Sequence, residues 1–260
     1  MIKKFLVTGG TGFIGGFLVR RLVQSGHNVR VFDNDWRGNS DNIADVLPRV
    51  EMVQGDIRDP RAVSRAVAGT STVCHLAAIN GTENFYKHPD LVLEVSVKGM
   101  MNVLDACKEN EVRDLLVLSS SEVYQTPPVV PTPETVPLLI PDPKNARYSY
   151  AAGKIISEML SLHANRLYMH RVCIVRPHNV FGPRMGWEHV IPQLIKKIYE
   201  LAKGSDRVSL PIQGSGDETR AFIYIDDMIE GLLKVINVGK AYELYHVGTQ
   251  TEVRIRDLAI

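Results

Sequence analysis

The chain has 260 residues, of which 45% are hydrophobic and 23% charged, with 30 basic and 29 acidic side chains for a net charge of +1. That length allows one large or two small domains with a sizeable core, and the near-balance of charge argues against nucleic acid or an anionic membrane as a partner. No apolar run approaches the roughly 18 residues of a membrane span.

Taken in chain order, apolar strand-like runs alternate with segments of helical spacing. Residues 5–8 read as a strand, which argues against a signal peptide at the N-terminus. A helix is expected over 15–25, with Phe17, Leu18 and Leu22 on its apolar side, then strands over 29–32 and 50–54. A short helix over 60–68 leads to a strand over 72–76. The helix at 91–110 carries Val92, Val95, Met100, Val103, Leu104 and Cys107 on one side. A strand over 114–119, a helix over 150–167 and a strand over 170–176 follow. This alternation, with continuously apolar strands, is that of a parallel sheet covered by helices on both faces.

Between the fifth strand and the helix at 150, residues 126–145 hold seven prolines (127, 128, 131, 133, 137, 141 and 143). Proline lacks the donor that helix interiors and central strands require, so the segment is expected to be a surface loop: a connector, or a lid or rim. The domain reading is 1–177 for the main sheet and 178–260 for a smaller substrate-binding region, with residues 244–247 a candidate to rejoin the main sheet. Cys74, Cys107 and Cys173 lie far apart in apolar segments. Their spacing suits neither a metal nor a disulfide framework, so buried thiols of a cytoplasmic protein are expected.

Gly9, Gly12 and Gly15 follow the first strand and open the first helix. Bare backbone there lets a pyrophosphate approach, and the helix N-terminus offers free N–H groups to it. Asp33 ends the second strand about 20 residues on, the place of an acid that accepts from the adenosine ribose hydroxyls. It favours NAD over NADP, with Arg37 the counter-argument. Asp56, after the third strand, is placed to bond the adenine amino group, with a solvated turn as the alternative, and Ile57 to pack on the ring. Ala77 and Ala78, after His75 and Leu76, let backbone lie against the cofactor.

Tyr150 and Lys154 stand four apart on one helical face. Free tyrosine titrates near ~10; a lysine ammonium beside it, and the positive nicotinamide ring, favour the phenolate. Tyr148 has no lysine four residues on. Ser119, Ser120, Ser121 and Glu122 end the fifth strand, where ligands sit in parallel sheets, although such a run also serves as a helix cap. Trp187, Glu188 and His189 are candidates for the substrate pocket or for the surface. His163 and His170 read as structural, and Asp226 and Asp227 as a helix start.

Together, the glycine loop, Asp33-Asn34, Gly55-Asp56, His75 to Ala78, Ser119 to Tyr124, Tyr150/Lys154, Arg176 to Pro183, and Gly214 to Asp227 resemble the extended short-chain dehydrogenase/reductase family, above all its nucleotide-sugar epimerases, dehydratases and decarboxylases. The resemblance runs from Lys3 to about Asp257. It implies a Rossmann doubly wound α/β fold, bound NAD, and a homodimer through the two long helices. It adds Phe13, Ile14, Asn34, Leu76, Ser119 and Pro177 to the cofactor contacts. It makes Ser120 the catalytic Ser/Thr, with Ser121 and Glu122 beside it. Tyr150 would take the proton from the sugar 4-hydroxyl, and Lys154 would hold the nicotinamide ribose. Hydride would pass from C4 to NAD, leaving a 4-keto intermediate. Asn80, Asn179 and Arg220 fall on substrate positions, a guanidinium suiting a diphosphate.

Epimerase, dehydratase and decarboxylase chemistry all remain open for the second step. Glu122 suits dehydratases and decarboxylases, and Arg147, three residues before Tyr150, occurs in both. Thr219 to Phe222 leans toward decarboxylases. Ser96 and Gly153 depart from a frequent asparagine and a frequent serine. Relatives run on past Ile260 by roughly fifty residues, so the substrate region is expected to be incomplete or reduced. A non-catalytic NAD-binding regulator and a simple carbonyl reductase are the competing classes; the intact Tyr150/Lys154 pair opposes the first.

Overall fold

The computed structural model describes residues 2–203, 209–212 and 214–258; Ile260, where the sequence stops, lies outside them. Seven parallel strands form the central sheet in the order β3 (Val50–Gln54), β2 (Asn28–Asp33), β1 (Lys4–Thr8), β4 (Thr72–His75), β5 (Asp114–Leu118), β6 (Arg171–Pro177) and β10 (Glu243–Val247). From β1 the chain builds outward in one direction to β3, then returns to place β4 on the other side of β1. The order therefore reverses between β1 and β4, and a crevice opens at the carboxyl ends of the strands.

Successive residues of a strand face opposite sides of the sheet, and the two cores divide that way. Phe5, Val7, Val31, Cys74 and Val175 pack under α1 (Phe13–Gln24) and α7 (Ile225–Val238). Leu6, Phe32, Val73, Leu115 and Ile174 pack under α2 (Pro60–Val67) and α4 (Pro89–Glu109). Arg30 is a charged side chain buried inside β2. Its guanidinium caps α2, donating to Ala66 O at 2.6 Å and Ala68 O at 2.7 Å, and pairs with Glu51 at 2.9 Å. It thereby satisfies carbonyls that a helix end leaves open. The thiols of Cys74, Cys107 and Cys173 are buried and free.

Two elements differ from the pattern read in the sequence. α5 (Ser149–His163) stops four residues early. Asn165 takes a left-handed φ of 58°, and its carbonyl accepts from the N–H groups of Tyr168 and Met169. A one-and-a-half-turn helix, α3 (Thr82–Lys87), precedes α4. It has a single buried apolar side chain, Phe85, and hence no period to read. Beyond β6 come β7 (Val180–Phe181), α6 (Val190–Leu201), β8 (Thr219–Ala221), β9 (Ile223–Tyr224), β11 (Glu252–Arg254) and α8 (Ile255–Leu258). β7 pairs with β9, and β8 with β11.

α4 and α5 touch through small residues. A Cβ on Gly153 would stand 2.6 Å from Ser96 Cβ, so the two positions that depart from the family's frequent residues face one another. Gly153→Ala is expected to destabilise the protein by about 1–3 kcal/mol despite alanine's better helix propensity. Adding Ser96→Gly should recover part of that loss, giving a favourable coupling in a urea-denaturation cycle; purely additive losses would refute the contact.

Candidate active site

The crevice at the switch point holds a cavity of about 580 Å³. Its floor is the glycine loop. A Cβ at Gly9 would stand 2.8 Å from Ala77 N, and one at Gly15 would stand 2.0 Å from Gly9 O. These two glycines are demanded by the protein's own backbone, which must meet itself to keep the floor flat. Gly12 opens α1 and meets nothing nearer than Gly9 O at 3.2 Å. Phe13 and Ile14 follow on the first turn and line the same cavity.

Asp33 Oδ2 accepts from Thr11 N at 3.0 Å and Oδ1 from Asp35 N at 3.0 Å. Each oxygen keeps a lone pair for a ribose hydroxyl. Arg37, which could have held a 2′-phosphate, is committed elsewhere. It donates to Asn80 O and pairs with Glu188 at 3.1 Å, crossing the cleft. Arg184 likewise reaches Asn42 O from the far wall. The flat floor, the helix N-terminus and an acid free of any guanidinium fit an NAD molecule.

Asp56 is more heavily engaged than a turn aspartate. Arg58 donates to it from N at 2.9 Å, Nε at 3.0 Å and Nη2 at 2.8 Å, and these bonds hold its carboxyl below the usual range. A fourth bond, from Asn34 at 3.4 Å, is the weakest and the natural one to yield to an incoming amino group. Ile57 is buried against the backbone of Gly99. On the opposite side, Leu76 N and Ala77 N both donate to Thr8 Oγ1 at 3.2 Å. The Thr8 hydroxyl therefore donates to His75 Nδ1, 2.8 Å away. Burial, then the charge of Lys154, lowers His75 to about 3, so the ring is neutral and structural. Ala78 and Pro177 complete the lining.

The three serines after β5 diverge. Ser119 lines the first cavity, is buried, and gives its hydroxyl to Glu158. Ser120 caps the 3₁₀ turn Ser121–Tyr124, accepting from Glu122 N at 3.2 Å, and is hydrogen-bonded to the Tyr150 phenol. Ser121 and Glu122 stand on the wall shared with a second cavity of about 860 Å³. Glu122 lies 3.6 Å from Arg147, and both are partly exposed.

Tyr150 stacks on Phe85, with centroids 5.1 Å apart and planes at 16°. Lys154 Nζ sits 5.7 Å from the Tyr150 ring centroid and donates to Leu118 O at 2.6 Å. Burial pushes Tyr150 up to about 12, against the pull of its Ser120 hydrogen bond. Burial also pulls Lys154 down to about 8, against the charge of Glu158. Without a ligand the pair is therefore a neutral phenol beside an ammonium near its midpoint, and the phenolate expected from sequence needs a further positive charge.

The second cavity is walled by the proline-rich segment, including Pro127 and Val130 to Glu134, and by His178, Asn179, Arg220 and His246. Asn179 donates to Ala221 O at 2.9 Å, and Arg220 to Thr219 O at 2.7 Å. Asn80 lies in the first cavity, where its Oδ1 accepts from Gly81 N at 2.7 Å. Glu188 and His189 also reach the first cavity, whereas Trp187 stays 65% exposed. Asp226 and Asp227 lie in the first turn of α7, where acids suit the helix dipole. Sequence reasoning missed Phe85, the Arg37–Glu188 bridge, and the Tyr124–His246 contact in the wall of the second cavity. The last joins residues 122 positions apart with no shared motif.

The model of the NAD dependent epimerase/dehydratase family matches residues 5–248. The chain is 31% identical to UDP-N-acetyl-alpha-D-glucosaminuronate decarboxylase of Bacillus cytotoxicus over 264 residues, covering 100% of this chain and 79% of the relative. It is 32% identical to UDP-glucuronic acid decarboxylase 6 of Arabidopsis thaliana, covering 98% and 72%. Among solved structures, dTDP-glucose 4,6-dehydratase from Streptomyces venezuelae, with NAD bound, superposes with a TM-score of 0.86 at 30% identity, covering 98% of this chain and 79% of that one. The chain belongs to the NAD dependent epimerase/dehydratase family, whose enzymes act on nucleotide sugars.

Proposed function

We propose that the protein oxidises a UDP-uronate at C4 and then releases its C6 carboxyl as CO2. The carrying observation is Arg147 beside Glu122 on the wall common to both cavities, where a sugar lying between Tyr150 and Arg220 presents its C5 and C6. A guanidinium there offers a bidentate partner to a carboxylate. The curated relatives described above, both decarboxylases of UDP-sugar acids, support the choice.

When bound, NAD supplies the hydride acceptor at C4 and a positive ring beside Tyr150. Tyr150, as phenolate, takes the proton from O4, and Lys154 lowers the cost of that charge. Ser120 donates to O4 as it becomes a carbonyl. The resulting 4-keto acid loses CO2 by breaking C5–C6, the electron pair passing to O4, where Ser120 and protonated Tyr150 hold the enolate. A proton then returns to C5; the hydride taken up at the start, which the reduced cofactor would give back to C4, and the Tyr150 proton returning to O4 would leave a UDP-pentose. A second reading, 4,6-dehydration, draws on Glu122 itself, whose carboxylate on the cavity wall would serve as the base at C5.

Incubation with UDP-glucuronate is expected to release CO2 and give a UDP-pentose by NMR. A 4-keto-6-deoxy product from a UDP- or dTDP-hexose, without CO2 from the uronate, would select dehydration. Tyr150→Phe should lower turnover by about 10²–10⁴-fold and leave NAD binding intact; near-parental turnover would refute the proton-acceptor role.

The further proposals concern assembly and location. Leu93 and Met101 on α4, and Ile156 and Met159 on α5, are 36%, 48%, 41% and 55% exposed, leaving two packed helices with apolar stripes in water. Such a face supports a homodimer through a four-helix bundle. Ile156→Arg is expected to give a monomer in sedimentation experiments; an unchanged mass would exclude this face. Among the described residues no helix is long and apolar enough to cross a membrane, and the three buried free thiols suit the cytoplasm.

A further inference from the structure

Behind the catalytic helix lies an ion pair that the reaction scheme does not use. Glu158 and Arg176 are 3% and 4% exposed, between α5 and β6. Arg176 Nε donates to Glu158 Oε1 at 2.8 Å and its Nη2 to Oε2. Ser119 gives its hydroxyl to the same carboxylate. Arg176 Nη1 donates to Tyr124 OH, and Tyr124 OH lies 2.6 Å from His246 Nε2. His246 Nδ1 lies 3.8 Å from Glu134, in the proline-rich wall.

Arginine can only donate, so the Tyr124 oxygen accepts from it. A guanidinium does not release a proton in a folded protein, so this chain of bonds cannot conduct protons from the second cavity. What it can do is hold a negative charge and the groups around it in place. A pair this deep regains little net stability after desolvation. Its effect falls instead on its neighbours, and one of these is Lys154, one helical turn away on α5.

We propose that Glu158, clamped by Arg176, is a positioning residue that keeps the buried Lys154 in its charged form and holds the Ser119 hydroxyl. The proposal rests on Lys154 serving Tyr150 as set out above. The charged and titratable groups facing Lys154 are Tyr150 and Glu158 on its own helix, neutral His75 on β4, and Arg176 on β6, which reaches it through Glu158. Of these, Glu158 is the anion. Removing its charge leaves burial unopposed, and burial favours the neutral amine. Ser119, released from Glu158, would regain a free hydroxyl beside Ser120.

The test follows the Cε resonance of Lys154 in the full chain labelled with 13C-lysine, assigned by its loss in Lys154→Met; it requires no turnover. The parent midpoint is expected near 8. In Glu158→Gln it should fall by about one pH unit, and the alkaline decline of kcat should move down with it while KM stays unchanged. Glu158→Asp, which keeps the charge, should restore most of both. Glu158→Gln combined with Arg176→Gln avoids stranding a bare guanidinium and should fold with a smaller downward shift, because a cation leaves with the anion. A Lys154 midpoint that falls in neither Gln variant overturns the proposal. A shifted midpoint in a protein inactive on every UDP-sugar would uphold it and count against the proposed reaction alone.

Discussion

Backbone meets backbone at the split between β1 and β4, and the site depends on that contact. Gly9 lies so close to Ala77 that a single Cβ would collide with its amide. The closeness lets Thr8 hold the amides of Leu76 and Ala77 with one hydroxyl, which fixes the His75 ring in turn. Strands β1 and β4 thus end as one flat ledge, with the N-terminus of α1 at one side. A ledge without side chains suits a long, flat cofactor. It also requires that every side chain with chemistry come from elsewhere: β5, α5 and the loops beyond β6.

Burial then does most of the electrostatic work at those side chains, and it does so in opposite directions. The same low-polarity setting raises the Tyr150 phenol and lowers the Lys154 ammonium, since each is driven toward its neutral form. The positive ring that NAD would place beside that phenol would favour its ionisation, opposing the effect of burial. Tyr150 is held for this by Phe85, stacked on its ring, and by Ser120 at its oxygen.

The parallel sheet and the cofactor loop were legible because their signals are local. Apolar runs of four to six residues name the strands, and three glycines after the first strand name the ledge. The Tyr150/Lys154 pair was legible for the same reason, being one turn of one helix. The reason two of the glycines are needed was not legible. The sequence suggests pyrophosphate clearance at all three, whereas Gly9 and Gly15 are required by contacts with Ala77 and with Gly9 itself. Arg37 shows the limit from the other side. Its position two residues past Asn34-Asp35 fits a phosphate clamp, but its partners, Asn80 and Glu188, come from distant loops. The early end of α5 turned on one asparagine taking a left-handed turn, which helical periodicity does not register.

The end of β5 shows why motif matching stops short of mechanism here. Three consecutive serines are equivalent as letters, yet the passage from the end of β5 into a 3₁₀ turn separates them at once. Ser119 gives its hydrogen to a buried carboxylate. Ser120 points into the cleft, caps the following turn and meets the phenol. Ser121 is carried by that turn to the wall of the second cavity, beside Glu122. The turn is therefore the hinge between the two halves of the chemistry. In the proposed reaction one side of it would serve the oxidation at C4, which all three candidate reactions share, and the other would face C5 and C6 with Glu122 and Arg147, where those reactions part. A base acting alone at C5 suits loss of water; a carboxylate paired with a guanidinium suits a substrate that brings its own carboxylate.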